Sequence, residues 1–276
     1  MRCLSLGISP CPNDTSVFFG LLSGQIPLPG LRLHLRIEDV DTLNRLAFDR
    51  VLDVTKLSFY AYGQLRRDYA LLRSGAALGR GCGPLVVARE NLSGRCLVGK
   101  RIAVPGHMTT ACLLLRLYGM ELCHLEPMPF HAIAAAVASG AVDAGVLIHE
   151  ARFTCEAQGL VKVLDLGSWW QTLTGLPLPL GCIVARRSLG RATLGQIEDA
   201  VRHSIDTLQA MPDAARDFIR RHAQENDDAV LDGHIGLYVN EFTHDLGAEG
   251  EAAVKELYAR AEAEGLLPAC SCGLFG

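Results

Sequence analysis

No apolar run in this chain is long and unbroken enough to span a membrane, since even Met128 to Ile148 is interrupted by His131, Gly140 and Asp143. The first ten residues carry one basic side chain and too short an apolar stretch before Ser9-Pro10 to act as a secretory signal, so a cytoplasmic protein is expected. There is no basic field. The formal charge is -4, and Lys and Arg are dispersed without interleaved aromatics, which sets nucleic acid aside as a partner. Metal-ligand spacings are missing as well: there is no His-x-x-x-His or Cys-x-x-Cys pair, and Cys270-Ser-Cys272 has no second pair to complete a zinc site. The 10 cysteines follow no repeating spacing, and most sit among apolar neighbours, as buried thiols do in a reducing compartment. Gly79-Arg-Gly81-Cys-Gly83 precedes a strand instead of opening a helix, and no Walker-type Lys-Ser/Thr ending occurs, so no nucleotide cofactor is indicated. No internal repeat or low-complexity tract is visible.

What is present is a globular pattern. The 276 residues, 49% hydrophobic and 20% charged, suffice for two modest lobes with a core each. Strands are expected at Cys3–Ile8, Leu31–Ile37, Leu52–Lys56, Leu71–Arg73, Leu85–Ala88, Arg101–Val104, Ala144–Ile148, Val161–Asp165 and Cys182–Ala185. Helices alternate with them at Thr15–Leu22, Asp41–Phe48, Thr109–Tyr118 and Phe130–Ala138, which implies an α/β architecture with crossovers and a largely parallel sheet. Beyond Arg191 only helices are expected, at Leu194–Gln209, Ala214–His222, Ala229–Glu241 and Glu249–Glu264, followed by a loosely held tail from Pro268 to Gly276. The Gly-rich segments Gly75 to Pro84 and Gly175 to Gly181 each precede a strand and read as hinge crossings. They divide the chain into a first lobe of residues 1–87 and 182–276 and an inserted second lobe, 88–181. Two ordinary surface turns in one domain fit the same residues.

The heptapeptide Ser9-Pro-Cys-Pro-Asn-Asp-Thr15 closes the first apolar run. Its prolines fix φ and remove two donors, so the strand ends sharply, and Asn13, Asp14 or Thr15 can cap the next helix. A helix N-terminus with unpaired N–H groups suits a carboxylate, a phosphate or a ketone oxygen, so a small anionic ligand is plausible, although a loop that only stops a strand reads the same way. Three further strand ends share this design: Lys56-Leu57-Ser58, then Pro105-Gly106-His107-Met108-Thr109-Thr110, then Ile148-His149-Glu150. Ligands in open α/β sheets lie outside the carboxyl ends of strands, where all four motifs fall. Plain helix capping explains Ser58, Thr109 or Thr110 taken singly; their joint placement favours binding. His149 is the candidate for proton transfer, because an imidazole titrates near neutrality and this one follows a buried strand. His107 ranks second, and His203, His222, His234 and His244 on the helical tail read as surface or satisfied side chains. Cys11 is a possible nucleophile at a helix start, but no histidine partner is apparent in the sequence and its prolines suggest a role in shape.

Taken in order, Ser9 to Thr15, Thr55-Lys56-Leu57-Ser58, Arg73 to Pro84, Thr109-Thr110, Ile148-His149-Glu150 and Gly175 to Gly181 resemble the motifs of the 1,4-dihydroxy-6-naphthoate synthases of the futalosine route to menaquinone. Ser16-Val17 stands where bulkier apolar residues are expected, and Ala151 and Cys155 replace a Ser and an aromatic. The resemblance implies a fold like the type II periplasmic binding proteins, two α/β lobes closing on a ligand. It also implies a lyase that converts cyclic dehypoxanthinyl futalosine to 1,4-dihydroxy-6-naphthoate and dihydroxyacetone without a metal or redox cofactor. On that reading His149 is the proton acceptor, and Lys56, Leu57, Ser58, Thr109 and Thr110, with Asn13, hold an anionic small-molecule substrate. The rivals are a solute-binding protein of the same fold and chorismate dehydratase, a lyase of the same pathway.

Overall fold

Apolar runs followed by amphipathic segments become strands that feed crossover helices. The structure is a computed structural model that describes residues 1–91, 97–119, 123–149, 151–223 and 227–276; Cys96 and Glu150 lie outside them. The first part of the chain forms β1 (Arg2–Ile8), α1 (Pro12–Leu22), β2 (Leu31–Ile37), α2 (Val40–Phe48), β3 (Val54–Ser58), α3 (Phe59–Leu65), β4 (Tyr69–Leu71) and β5 (Ala77–Gly79). The middle forms β6 (Leu85–Ala88), β7 (Arg101–Val104), α4 (Thr110–Leu117), β8 (His124–Pro127), α5 (Phe130–Ser139), β9 (Ala144–Leu147), α6 (Ala151–Thr154), β10 (Val161–Asp165) and α7 (Leu166–Thr174). Strand β11 (Leu178–Arg186) then leads to α8 (Arg191–Ala210), α9 (Pro212–His222), α10 (Asp228–Tyr238), α11 (Glu241–His244) and α12 (Gly247–Ala263).

The strands make two sheets, ordered β2-β1-β3-β11-β4 with β5 beside β11, and β10-β6-β9-β7-β8. Each sheet is mixed, which corrects the expectation of a largely parallel one. β11 runs antiparallel to β3, β4 and β5, and β6 antiparallel to β9 and β10. These two reversed strands are the ones through which the chain changes sheets, from β5 to β6 and from β10 back to β11. At the first crossing Gly83 adopts φ 138°, and a Cβ on Gly167 at the start of α7 would lie 1.8 Å from the Cys82 carbonyl oxygen. Only glycine permits that approach.

Four elements escaped the sequence pattern for physical reasons. Helix α3 is apolar on nearly all sides, so it shows no amphipathic period. Helix α7 follows β10 without a linker; the Asp165 side chain caps it by accepting from the Ser168 amide at 2.9 Å. Its Trp170 is fully buried and donates to the Pro177 carbonyl at 3.1 Å. Strands β5 and β8 are only 3 and 4 residues long. Among the described residues no helix is long and apolar enough to cross a membrane.

The chain end is tied down, which corrects the expectation of a loose tail. The Leu274 carbonyl accepts from the Leu71 amide at 2.8 Å and from the Tyr62 hydroxyl at 2.6 Å. Arg187 donates to the Phe275 carbonyl at 3.0 Å, and the Arg73 guanidinium lies 4.0 Å from the centre of the Phe275 ring. Tyr62→Phe removes one of the bonds to Leu274 while leaving its carbonyl paired, so it should lower the unfolding free energy by about 1 kcal/mol in a urea titration.

Candidate active site

Pro12 occupies the first turn of α1, where its missing N–H is no loss. The Asp14 carboxylate turns back to the loop before the helix, accepting from the Ser9 amide at 3.1 Å and the Ser9 hydroxyl at 2.6 Å. Its other oxygen accepts from the Asn13 amide at 2.7 Å and from the Lys56 ammonium of β3. Both charges of the Lys56–Asp14 pair are buried. The two most distinctive motifs thus meet in one ion pair. Lys56 lines the cleft, but its charge is neutralised by Asp14 and is not left free for a ligand.

Asn13 passes this arrangement on. Its Oδ1 lies 3.0 Å from His234 Nε2 of α10. The His234 ring stacks on that of His149, 5.9 Å between centres and 25° between planes, with Tyr238 at 4.7 Å on its helix. His234 is buried with a partner in Asn13, so of the two readings of this tail residue the surface one is corrected. It lines the cleft with His149, Asn13, Lys56, Ser58 and Thr109. The cleft with its solvent-open mouth takes in about 600 Å³.

His149 follows β9 in a left-handed conformation, φ 55°, which for a non-glycine residue is strained by about 1–3 kcal/mol. Phe130 meets its ring edge-on at 5.1 Å. Cys11 Sγ lies 3.6 Å from Nδ1 and 3.8 Å from Nε2, so this thiol has a histidine neighbour, contributed from 138 positions along the chain. Burial lowers the His149 pKa to about 4, the Lys56 charge lowers it too, and the Asp14 charge offsets part of this. Burial, with the His149 and Lys56 charges, lowers that of His234 to about 3. Both rings are neutral at pH 7.

The hydroxyl residues line the cleft but already have partners. Thr109 caps α4, accepting from the Cys112 amide at 3.3 Å and donating to the Gly106 carbonyl at 2.8 Å. Thr110 donates to the Leu180 carbonyl at 2.7 Å and accepts from the Tyr60 amide at 3.4 Å, which joins α4 to the first sheet. Ser58 is held by Asn44, whose side chain accepts from the Ser58 amide at 3.1 Å and donates to its hydroxyl at 3.3 Å. The Leu57 side chain lies in the hydrophobic core and is not part of the cleft lining, because adjacent strand residues face opposite ways. His107 is not part of that lining either; it lies near Asp41 of α2. Asn44 carries no signal in the sequence and His234 reads there as a surface or satisfied side chain, since only the fold brings Asn44 to Ser58 and His234 to the cleft. Among the described residues no three His, Cys, Asp or Glu side chains gather as metal ligands.

Two neutral buried imidazoles have a consequence for stability. Below the ordinary value of 6.5 the unfolded chain binds protons that the folded chain refuses until about pH 4 at His149 and about pH 3 at His234. Stability therefore falls as pH drops through this window, and neither ring contributes above it. Proton uptake on unfolding at pH 5, measured by calorimetry in buffers of different ionisation enthalpy, should fall by about one in His234→Gln.

The sequence profile of the menaquinone biosynthesis family matches residues 4–263. The chain is 51% identical over 266 residues to a 1,4-dihydroxy-6-naphthoate synthase of Thermus thermophilus, covering 96% of each. It is 49% identical over 271 residues to a protein of the same name from Streptomyces coelicolor, covering 96% of this chain and 95% of the relative. A crystal structure of an Archaeoglobus fulgidus protein superposes with a TM-score of 0.90 at 39% identity, covering 96% of this chain and 98% of that one. An alkanesulfonate-binding protein from Xanthomonas axonopodis pv. citri matches with a TM-score of 0.70 at 15% identity over 98% and 95% of the two chains. That likeness establishes the two-lobed architecture of periplasmic binding proteins, with the cleft between the lobes. Since the profile and both synthases span nearly all of its length, the chain belongs to the menaquinone biosynthesis family, the group that contains the 1,4-dihydroxy-6-naphthoate synthases.

Proposed function

We propose that the protein is a carbon–carbon lyase that converts cyclic dehypoxanthinyl futalosine to 1,4-dihydroxy-6-naphthoate and dihydroxyacetone, with His149 as general base. The observation that carries this reading is the setting of His149: a neutral imidazole held in strained backbone at a cleft, between Phe130, Cys11 and His234. A carbon acid beside a ketone can lose its proton to such a nitrogen while N–H and hydroxyl groups stabilise the enolate, and the gain of aromaticity drives fragmentation. A pKa near 4 makes His149 on its own a weak base. An anionic substrate within a few ångströms favours the imidazolium and raises that value, so basicity is restored only when the cleft is filled. Asn13 and Ser58 on the first sheet's side, with Thr109 and Thr110 on the second's, are proposed to hold the substrate. Lys56 acts through Asp14, and Leu57 through its main chain.

The test is turnover of cyclic dehypoxanthinyl futalosine by the purified chain, followed by naphthoate absorbance. His149→Asn should lower kcat by about a hundredfold to ten-thousandfold with the fold intact. Turnover at the unmutated rate would assign the base to another residue. Binding of the substrate without turnover by the unmutated chain would favour a solute-binding protein, and turnover of chorismate instead would favour the dehydratase.

The lobes, residues 1–87 with 182–276 and residues 88–181, are proposed to join at the two Gly-rich crossings, Gly75 to Pro84 and Gly175 to Gly181, and to close on the ligand as hinged domains do. Saturating product should slow hydrogen exchange at both crossings and reduce the radius of gyration in solution scattering. If neither changes, the lobes are closed without ligand and the division is wrong.

A further inference from the structure

His234 Nδ1 is buried and makes no hydrogen bond among the described residues. The reason lies in a chain of contacts that starts at the ion pair. Asp14 accepts from the Asn13 Nδ2 at 2.7 Å, which fixes the orientation of the Asn13 amide and turns its oxygen to His234. An amide oxygen only accepts, so the proton of the His234 ring must sit on Nε2. Burial, with the Lys56 charge, keeps the ring neutral at pH 7, so Nδ1 is left with a bare lone pair. This acceptor belongs to a ring that lines the cleft and stacks on His149. An unpaired buried acceptor is unfavourable until it receives a donor.

We infer that His234 is a substrate-orienting residue whose Nδ1 accepts a hydrogen bond from a hydroxyl of the bound molecule. The inference rests on the proposed lyase reading for the identity of that molecule, a hydroxyl-rich carboxylate. An acceptor-only nitrogen takes an O–H and repels a carboxylate, because two lone pairs then face each other. His234 therefore selects the hydroxyl-bearing end of the substrate for the neighbourhood of His149 and turns the carboxylate away from it.

Two substitutions separate this role from simple support of Asn13. His234→Gln keeps a donor near the Nε2 position for Asn13 but has no acceptor at Nδ1, whereas His234→Asn places an amide oxygen near Nδ1 and gives up the bond to Asn13. The inference expects kcat/KM to fall by about tenfold to a hundredfold in His234→Gln, the effect of one lost hydrogen bond, and by less in His234→Asn. A Gln variant as active as the Asn variant, or more so, overturns it. Nitrogen NMR of the unmutated protein with labelled histidine gives a readout apart from activity. His234 should carry its proton on Nε2, and saturating 1,4-dihydroxy-6-naphthoate should shift the Nδ1 resonance; a proton on Nδ1, or an unmoved resonance, overturns the inference. If the unmutated chain fails to turn over cyclic dehypoxanthinyl futalosine, the proposed function falls, and the tautomer then decides the acceptor role alone, for or against.

Discussion

The buried pair of Lys56 and Asp14 is the contact on which the arrangement of the cleft depends. Each charge lies out of water, and each is tolerable only because the other is there and because Ser9 and Asn13 occupy the remaining carboxylate positions. The pair locks the end of β3 to the first turn of α1, so two segments more than forty residues apart become one rigid wall. Because Asp14 also orients Asn13, the same contact determines which nitrogen of His234 is protonated. Its net charge is near zero, so it stiffens the wall without placing an open cation in the cleft.

That near-neutral wall bears on His149. An ammonium without its carboxylate would oppose the imidazolium more strongly, while Asp14 without Lys56 would favour it. Paired, the two largely cancel, and burial dominates. The ring also faces His234, and two imidazoles in contact resist holding two protons at once. A single proton on this pair is thereby confined to one ring.

Much of the fold could be read in the sequence because it follows simple periodicities. Leu31–Ile37, Leu85–Ala88, Arg101–Val104 and Val161–Asp165 begin and end where the sequence pattern places them. Phe59–Leu65 could not be read this way, because a helix buried on most sides has no polar stripe to reveal its period. The site divides similarly. Asn13, Lys56, Ser58, Thr109, Thr110 and His149 sit at strand ends or helix starts, which chain order alone exposes, and all line the cleft. Asn44 and His234 lie within helices and gain meaning only from what they face. The roles of the hydroxyls were also hidden, since whether Thr110 meets a ligand or Leu180 depends on β11, seventy residues further on.

The reversed strands β6 and β11 connect this local chemistry to the architecture. Each begins just after a crossing, so the cleft wall changes sheets where the backbone can bend. Gly83 and Gly167 let the crossing and α7 approach closely, and Thr110 ties α4 to the Leu180 carbonyl of β11. His149 stands on the second sheet's side of the gap, while Asn13, Lys56 and His234 stand on the first's. The stacking of His149 on His234 is therefore a contact between lobes. Separating the lobes would break it, expose His149 to water and remove the desolvation that holds its pKa down. If the lobes move as proposed, the basicity of His149 changes with them through this imidazole contact.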